Sequence, residues 1–264
     1  MDVIPNHTKR RLAAGGLALG MGVRQSRTVD VAAIARGCDF DWLFIDMEHS
    51  SANLDTAAQI AMAALGAGIT PLVRVPGPEH HHASRILDTG AQGIVLPHVD
   101  TPDEAARAVA HCKYPPIGHR SIGGPQPQLG FRAMPVGEAM ALVNEETLVI
   151  VMLETPRAIA NAEEMAAVNG VDVVLIGTND LCAELGIPGK FTDPKVEDAY
   201  RKVIAACHKH GKHPGMGGVY DQPVMERYIQ LGMRFILSGS DLSFMMAGAR
   251  ARSEFLRSVR VLAA

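Results

Sequence analysis

The chain has 264 residues, 47% of them hydrophobic and 20% charged, which supplies a sizeable core and matches the length at which an α/β barrel closes as one unit. A net charge of −3 and only 5% aromatic residues provide neither the basic stripe nor the stacking platforms that nucleic acid requires, so no nucleic-acid partner is expected. Cys38, Cys112, Cys182 and Cys207 are scattered without a CxxC pair, which points away from a disulfide framework or zinc knuckle and toward a reducing cytoplasm.

In chain order, the cationic Lys9-Arg10-Arg11 precedes an apolar stretch that Gly15, Gly16, Gly20 and Gly22 interrupt. That stretch is too short and glycine-rich for a spanning helix, and no small-residue cleavage site stands out, so neither membrane insertion nor secretion is expected. Short apolar runs follow at 17–23, 42–46, 71–75, 93–99, 148–154, 171–177, 213–218 and 234–239, most of them separated by longer amphipathic stretches. Eight such alternations predict a single (β/α)8 TIM barrel over 1–264. Helix boundaries agree. Asn53 opens an alanine-rich helix closed by Gly66 and Gly68, Thr101-Pro102-Asp103-Glu104 starts another, and Asp193-Pro194 starts one that runs to Gly211. The seventh run is assigned from count and spacing, because Pro214, Gly215, Gly217 and Gly218 are poor strand formers. The proline- and glycine-rich segment 114–135, which carries Arg120 and Arg132, breaks the rhythm and is expected on the active-site side as a lid or an inter-subunit contact.

Chemistry-bearing residues accumulate where strands end. The second run ends in Asp46, Glu48 and His49, the third in Arg74, the fifth in Glu154, and the sixth in Gly177-Thr178-Asn179-Asp180. In a barrel these ends converge on one mouth. Glu154 and Asp180 follow strongly apolar strands, so each needs a cation or a partner to offset desolvation; a hard divalent cation suits them, and salt bridges or helix caps are the alternative. His49 is a candidate general base or a plain loop residue, and Arg74 a stabiliser of an enolate or carbonyl oxygen or half of a structural ion pair. Spacing alone makes Asp88 a helix-end carboxylate and Glu79-His80-His81-His82 a solvated first turn. No GxGxxG or P-loop is present. None of the eight strands ends in a lysine suited to a Schiff base, so keto-acid chemistry here requires a metal as electron sink.

Together the segments Asp41-Trp42-Leu43-Phe44-Ile45-Asp46-x-Glu48-His49, Pro71-Leu72-Val73-Arg74, Ile86-Leu87-Asp88-x-Gly90-Ala91-Gln92-Gly93, Tyr114-Pro115-Pro116-x-Gly118-x-Arg120, Leu153-Glu154-Thr155 and Ile176-Gly177-x-x-Asp180-Leu181 resemble the HpcH/HpaI family. These are metal-dependent class II pyruvate aldolases on a phosphoenolpyruvate/pyruvate-type barrel. The resemblance implies that His49 is the acid/base, that Asp88 raises its basicity, and that Arg74 stabilises the pyruvate enolate. It further implies that Glu154 and Asp180 hold Mg²⁺, Mn²⁺ or Co²⁺, and that the backbone of Thr178, Asn179 and Asp180 receives the substrate carboxylate. It implies a homohexamer built from dimers, with the helix at 241–257 exchanged between subunits.

Four residues depart from the family pattern. Met152 stands where glutamine is common, Thr178-Asn179 where Pro-Ala or Pro-Ser is usual, and Gly217 where an apolar residue borders the pyruvate site. The expected activity is reversible cleavage of a 4-hydroxy-2-oxo acid into pyruvate or hydroxypyruvate and an aldehyde. The alternatives are oxaloacetate decarboxylation, cleavage of a CoA ester through the same enolate, and keto-acid binding without turnover.

Overall fold

In a computed structural model of the chain, which describes residues 3–261, eight parallel strands close into a barrel in sequence order. They are β1 (Ala18–Val23), β2 (Trp42–Asp46), β3 (Thr70–Arg74), β4 (Gly93–Leu96), β5 (Leu148–Leu153), β6 (Val173–Gly177), β7 (His213–Gly217) and β8 (Phe235–Ser240). Each strand pairs with the next, and β8 returns to β1. All eight expected strands are present, including β7, which pairs with β6 over its whole length despite its glycines.

Alternation along the strands divides the core in two. Leu43, Ile45, Val73, Val149, Val151 and Ile176 face outward onto the helices, whereas Trp42, Phe44, Leu72, Val95, Ile150, Met152, Leu175 and Phe235 fill the interior. Burying each large apolar side chain stabilises the fold by about 1.5–3 kcal/mol. At the centre Trp42 stacks on Phe235 with ring centroids 4.0 Å apart. Gly20 makes room for this pair, since a Cβ there would lie 2.2 Å from the Trp42 ring.

The helices start and stop as their sequences dictate. Asn53 caps Leu54–Ala67, which ends at Gly68 in the left-handed conformation (φ 71°). Thr101 and Glu104 form a capping box on Pro102–Cys112, and Asp193 caps Pro194–His210. Among the described residues, no helix is long and apolar enough to cross a membrane.

Two expectations are corrected. β4 ends at Leu96 rather than Val99, because His98 adopts φ 54° and turns the chain out of the sheet across the barrel mouth. The segment 114–135 does not lie on the active-site side of its own barrel. It follows the helix Pro102–Cys112, which returns the chain to the N-terminal ends of the strands, and it is anchored there. Gln128 Nε2 donates to the carbonyls of Leu87 and Ala91 at 2.6 and 2.8 Å, and Ile4 N–H donates to the Gln128 carbonyl at 2.7 Å. The C-terminal helix Asp241–Ser258 has no buried residue and leaves Phe244, Met245, Met246, Phe255 and Leu256 exposed.

Candidate active site

Asp46 and Arg74 are the last residues of neighbouring strands and stand opposite each other in the register of β2 and β3. Strand alternation points both into the barrel mouth, where Arg74 Nε and Nη2 donate to the two Asp46 oxygens at 3.0 and 2.7 Å. Arg74 Nη1 lies 2.8 Å from Glu48 Oε2, and the guanidinium sits 5.0 Å from the centre of the Phe44 ring. The Asp46 bonds use one N–H each of Nε and Nη2, and the Glu48 contact is an ion pair without a hydrogen bond, so N–H donors on Nη1 and Nη2 remain for a substrate oxygen. Burial pushes the Asp46 carboxyl up, but the Arg74 bonds and charge and the backbone N–H groups of His49 and Glu48 outweigh it and hold Asp46 below the usual carboxylate range.

Opposite this pair, Glu154 follows β5 and is 2% exposed. Its Oε2 accepts the His98 backbone N–H at 2.8 Å and lies 3.2 Å from His98 Nδ1, while His98 Nε2 lies 3.3 Å from Glu48 Oε1. The imidazole therefore bridges two carboxylates. Burial is the main cause that pushes the Glu154 carboxyl up to about 7, and the charges of Asp180 and Glu48 add to it against the His98 bond and charge. Gly177 permits the close approach of Glu154, because a Cβ at that position would fall 2.6 Å from Glu154 Cγ.

This arrangement fits a divalent cation. Glu154 is a buried carboxylate under strain from two neighbouring negative charges, and both His98 contacts use Oε2, leaving Oε1 for a cation. Among the described residues no group of three or more His, Cys, Asp or Glu side chains could hold a metal ion by itself. A cation here would rest on Glu154 and Asp180, with water and substrate completing its shell, as hard cations at substrate sites accept.

His49 is half exposed at the rim, with Nε2 3.6 Å from Glu48 Oε2 and its backbone N–H bonded to Asp46 at 3.1 Å. Asn179 and Asp180 are exposed in the first turn of the helix Thr178–Glu184. The Thr178 side chain points away from the mouth: its hydroxyl donates to the Gly217 carbonyl at 2.8 Å and meets the Tyr200 hydroxyl at 2.7 Å, so only its backbone is available to a ligand. Asp88 is not brought to His49 within the chain. It ends the helix His80–Asp88, which runs back toward the other end of the barrel, and it pairs with the buried Arg120 at 2.6 Å. The carboxylate beside His49 is Glu48. The histidine run 80–82 opens that same helix, and among the described residues its one ionic neighbour is Glu79, 3.7 Å from His82.

Sequence reasoning placed Glu48 at the mouth without a specific role and passed over His98 and Arg24, and the structure places all three there. Arg24 directly follows β1, its Nε 3.4 Å from Asp46 Oδ2 and its Nη2 donating to the His49 carbonyl at 3.1 Å. The signal that exposed Arg74, a charged residue at the end of an apolar run, was present at Arg24 and, two residues beyond Leu96, at His98.

The family model for HpcH/HpaI aldolase/citrate lyase matches residues 24–247, nearly the whole barrel. The chain belongs to the HpcH/HpaI family. Within it, a 4-hydroxy-4-methyl-2-oxoglutarate aldolase of Chaetomium globosum is 41% identical over 248 residues, covering 92% of each chain. A 5-keto-4-deoxy-D-glucarate aldolase of Citrobacter koseri is 32% identical over 241 residues, covering 91% of this chain and 92% of its own. The crystal structure of an HpcH/HpaI aldolase from Desulfitobacterium hafniense superposes with a TM-score of 0.91 at 27% identity, over 97% of this chain and 98% of that one.

Proposed function

We propose that this HpcH/HpaI family member is a divalent-cation-dependent aldolase that reversibly cleaves a 4-hydroxy-2-oxo acid to pyruvate, or hydroxypyruvate, and a second carbonyl compound. The observation that carries the reading is the convergence of the Glu154/Asp180 carboxylates, the Arg74 guanidinium and the His49 imidazole on one barrel mouth. The substrates in the relatives' names, an oxoglutarate and a glucarate, are diacids, and that is the class we assign to this chain.

Mg²⁺, Mn²⁺ or Co²⁺ held by Glu154 and Asp180 would polarise the 2-oxo group and offset the negative charge that develops on it. The backbone N–H groups at 178–180 receive the adjacent carboxylate. His49 accepts the proton of the 4-hydroxyl, the bond between C3 and C4 breaks, and C4 leaves as a carbonyl. The electron pair passes to the enolate, whose oxygen takes N–H donors that Arg74 does not spend on Asp46. Proton return to C3 releases pyruvate. Met152, buried next to Glu154 and close to Gly177, gives the donor side of the pocket an apolar wall where relatives place an amide.

A role for Asp88 in raising the basicity of His49 requires a second copy of the chain, because the two residues lie at opposite ends of one barrel. That requirement agrees with the hexamer of dimers expected for the family and with the bare C-terminal helix. The deciding experiment is NMR-detected deuterium exchange into the pyruvate methyl group, with metal-free protein, with added Mg²⁺ or Mn²⁺, and with His49→Ala. Metal-dependent exchange abolished by His49→Ala is expected. Absence of exchange under every condition would refute the aldolase reading.

A further inference from the structure

Beside the Asp46–Arg74 pair a cavity of about 310 Å³ opens between β1, β8 and the start of the C-terminal helix. Its lining includes Arg24, Arg74, Tyr220, Ser240, Ser243 and Met246, so it is continuous with the mouth but displaced from Glu154 and Asp180. Resting on the aldolase reading above, we propose that this cavity receives the departing half of the substrate and that Arg24 binds the second carboxylate carried by that half.

Three features of Arg24 support the assignment. First, its guanidinium is not consumed by internal pairs. The Nε contact to Asp46 Oδ2 is long, at 3.4 Å, and that oxygen is already bonded to Arg74 at 2.7 Å. Nη2 donates to a neutral carbonyl, that of His49, and no hydrogen bond among the described residues uses Nη1. Second, the base of the side chain is fixed before any ligand arrives. The backbone N–H groups of Arg24, Gln25 and Ser26 all donate to the Asp241 carboxylate, at 3.0, 3.0 and 2.7 Å. A loop tied down in this way loses little further freedom when its arginine closes on an anion. Third, the chemistry matches. A guanidinium presents paired, planar donors to a carboxylate, and the adjoining Tyr220 hydroxyl can donate to one of its remaining lone pairs, whereas Ser240 and Ser243 are engaged with each other in the cap of the C-terminal helix. Arg74 anchors the enolate side of the reaction and Arg24 stands on the other side of Asp46, so the two cations address opposite halves of one diacid.

The test uses the Mn²⁺-loaded full chain and two substrates with the same secondary alcohol at the reacting carbon, 4-hydroxy-2-oxoglutarate and 4-hydroxy-2-oxopentanoate, in which a methyl group replaces the second carboxylate. Pyruvate release is followed for wild type, Arg24→Met and Arg24→Lys. Wild type is expected to favour the diacid in kcat/KM by about 10-fold or more, the scale of a hydrogen bond to a charged group at a half-exposed side chain. In Arg24→Met the diacid KM rises and the preference collapses toward one, and Arg24→Lys restores part of it. An equal fall on both substrates would overturn the inference, since Arg24 would then act only by holding Asp46 and Arg74. If neither variant folds, the wild-type preference decides alone, and its absence overturns the inference. Deuterium exchange into pyruvate without a diacid preference leaves the aldolase reading standing and removes only the role of Arg24; no exchange and no cleavage removes both.

Discussion

Asp46→Asn isolates the ion pair on which the site is built. Asp46 is 1% exposed and Arg74 6%, so the substitution leaves a guanidinium in the barrel mouth short of its main counter-charge. Removing one partner of a buried pair costs about 3–5 kcal/mol. Here Arg74 keeps Glu48 at 2.8 Å, and the amide oxygen can still accept one N–H, so the expected loss is about 2–3 kcal/mol. Urea unfolding followed by circular dichroism at pH 7 measures it. The same pair fixes a pH signature. Because the folded state holds Asp46 below its ordinary value of 3.8, its contribution is complete above that value and is lost as pH falls through the folded pKa. The gap between wild type and Asp46→Asn should therefore be constant near neutrality and close only below pH 3.8. A variant within about 0.5 kcal/mol of wild type at pH 7, the range of an ordinary surface change, would refute the reasoning. So would a gap that does not narrow in acid.

Gly20→Ala should cost about 1–3 kcal/mol or more, because its Cβ has no space beside Trp42; a melting temperature equal to wild type in calorimetry would show that the barrel interior relaxes freely. Glu154→Gln should abolish Mn²⁺ binding detected by electron paramagnetic resonance without substrate, and unchanged affinity would move the cation elsewhere. His98→Ala removes the imidazole that orients Glu154 and should weaken Mn²⁺ binding by about 10-fold or more, the usual effect of losing a group that positions a ligand. If the C-terminal helix is exchanged between subunits as proposed, Phe255→Glu with Leu256→Glu should lower the mass seen by analytical ultracentrifugation, and an unchanged mass would refute that exchange.

The barrel was legible because its strands are buried on both faces, and such strands appear as short continuous apolar runs whatever their neighbours do. β7 was the exception, and the reason is local: Gly215 lies against Phe235, where a Cβ would come within 3.0 Å, so the packing demands the residue that strand propensity penalises. The site was legible where a charge directly follows such a run, as at Arg74 and Glu154. It was not legible where the decisive contact depends on a turn. His98 reaches Glu154 and Glu48 only because its backbone is left-handed, and nothing in Leu96-Pro97-His98-Val99 announces that conformation. Segment 114–135 was misplaced for a topological reason. It was counted from the strand before it, although an intervening helix had already carried the chain to the far end of the barrel.

The stack of Trp42 on Phe235 gives the molecule a built-in optical reporter. Trp42 is the only tryptophan in the chain, it is fully buried, and its indole N–H has no hydrogen-bond partner among the described residues. Its emission therefore comes from one buried point beside the Phe44 ring on which Arg74 rests. Light absorbed anywhere near 295 nm reads the barrel axis and nothing else, so a change in that signal on adding a cation or a keto acid would mean that the floor of the mouth had moved.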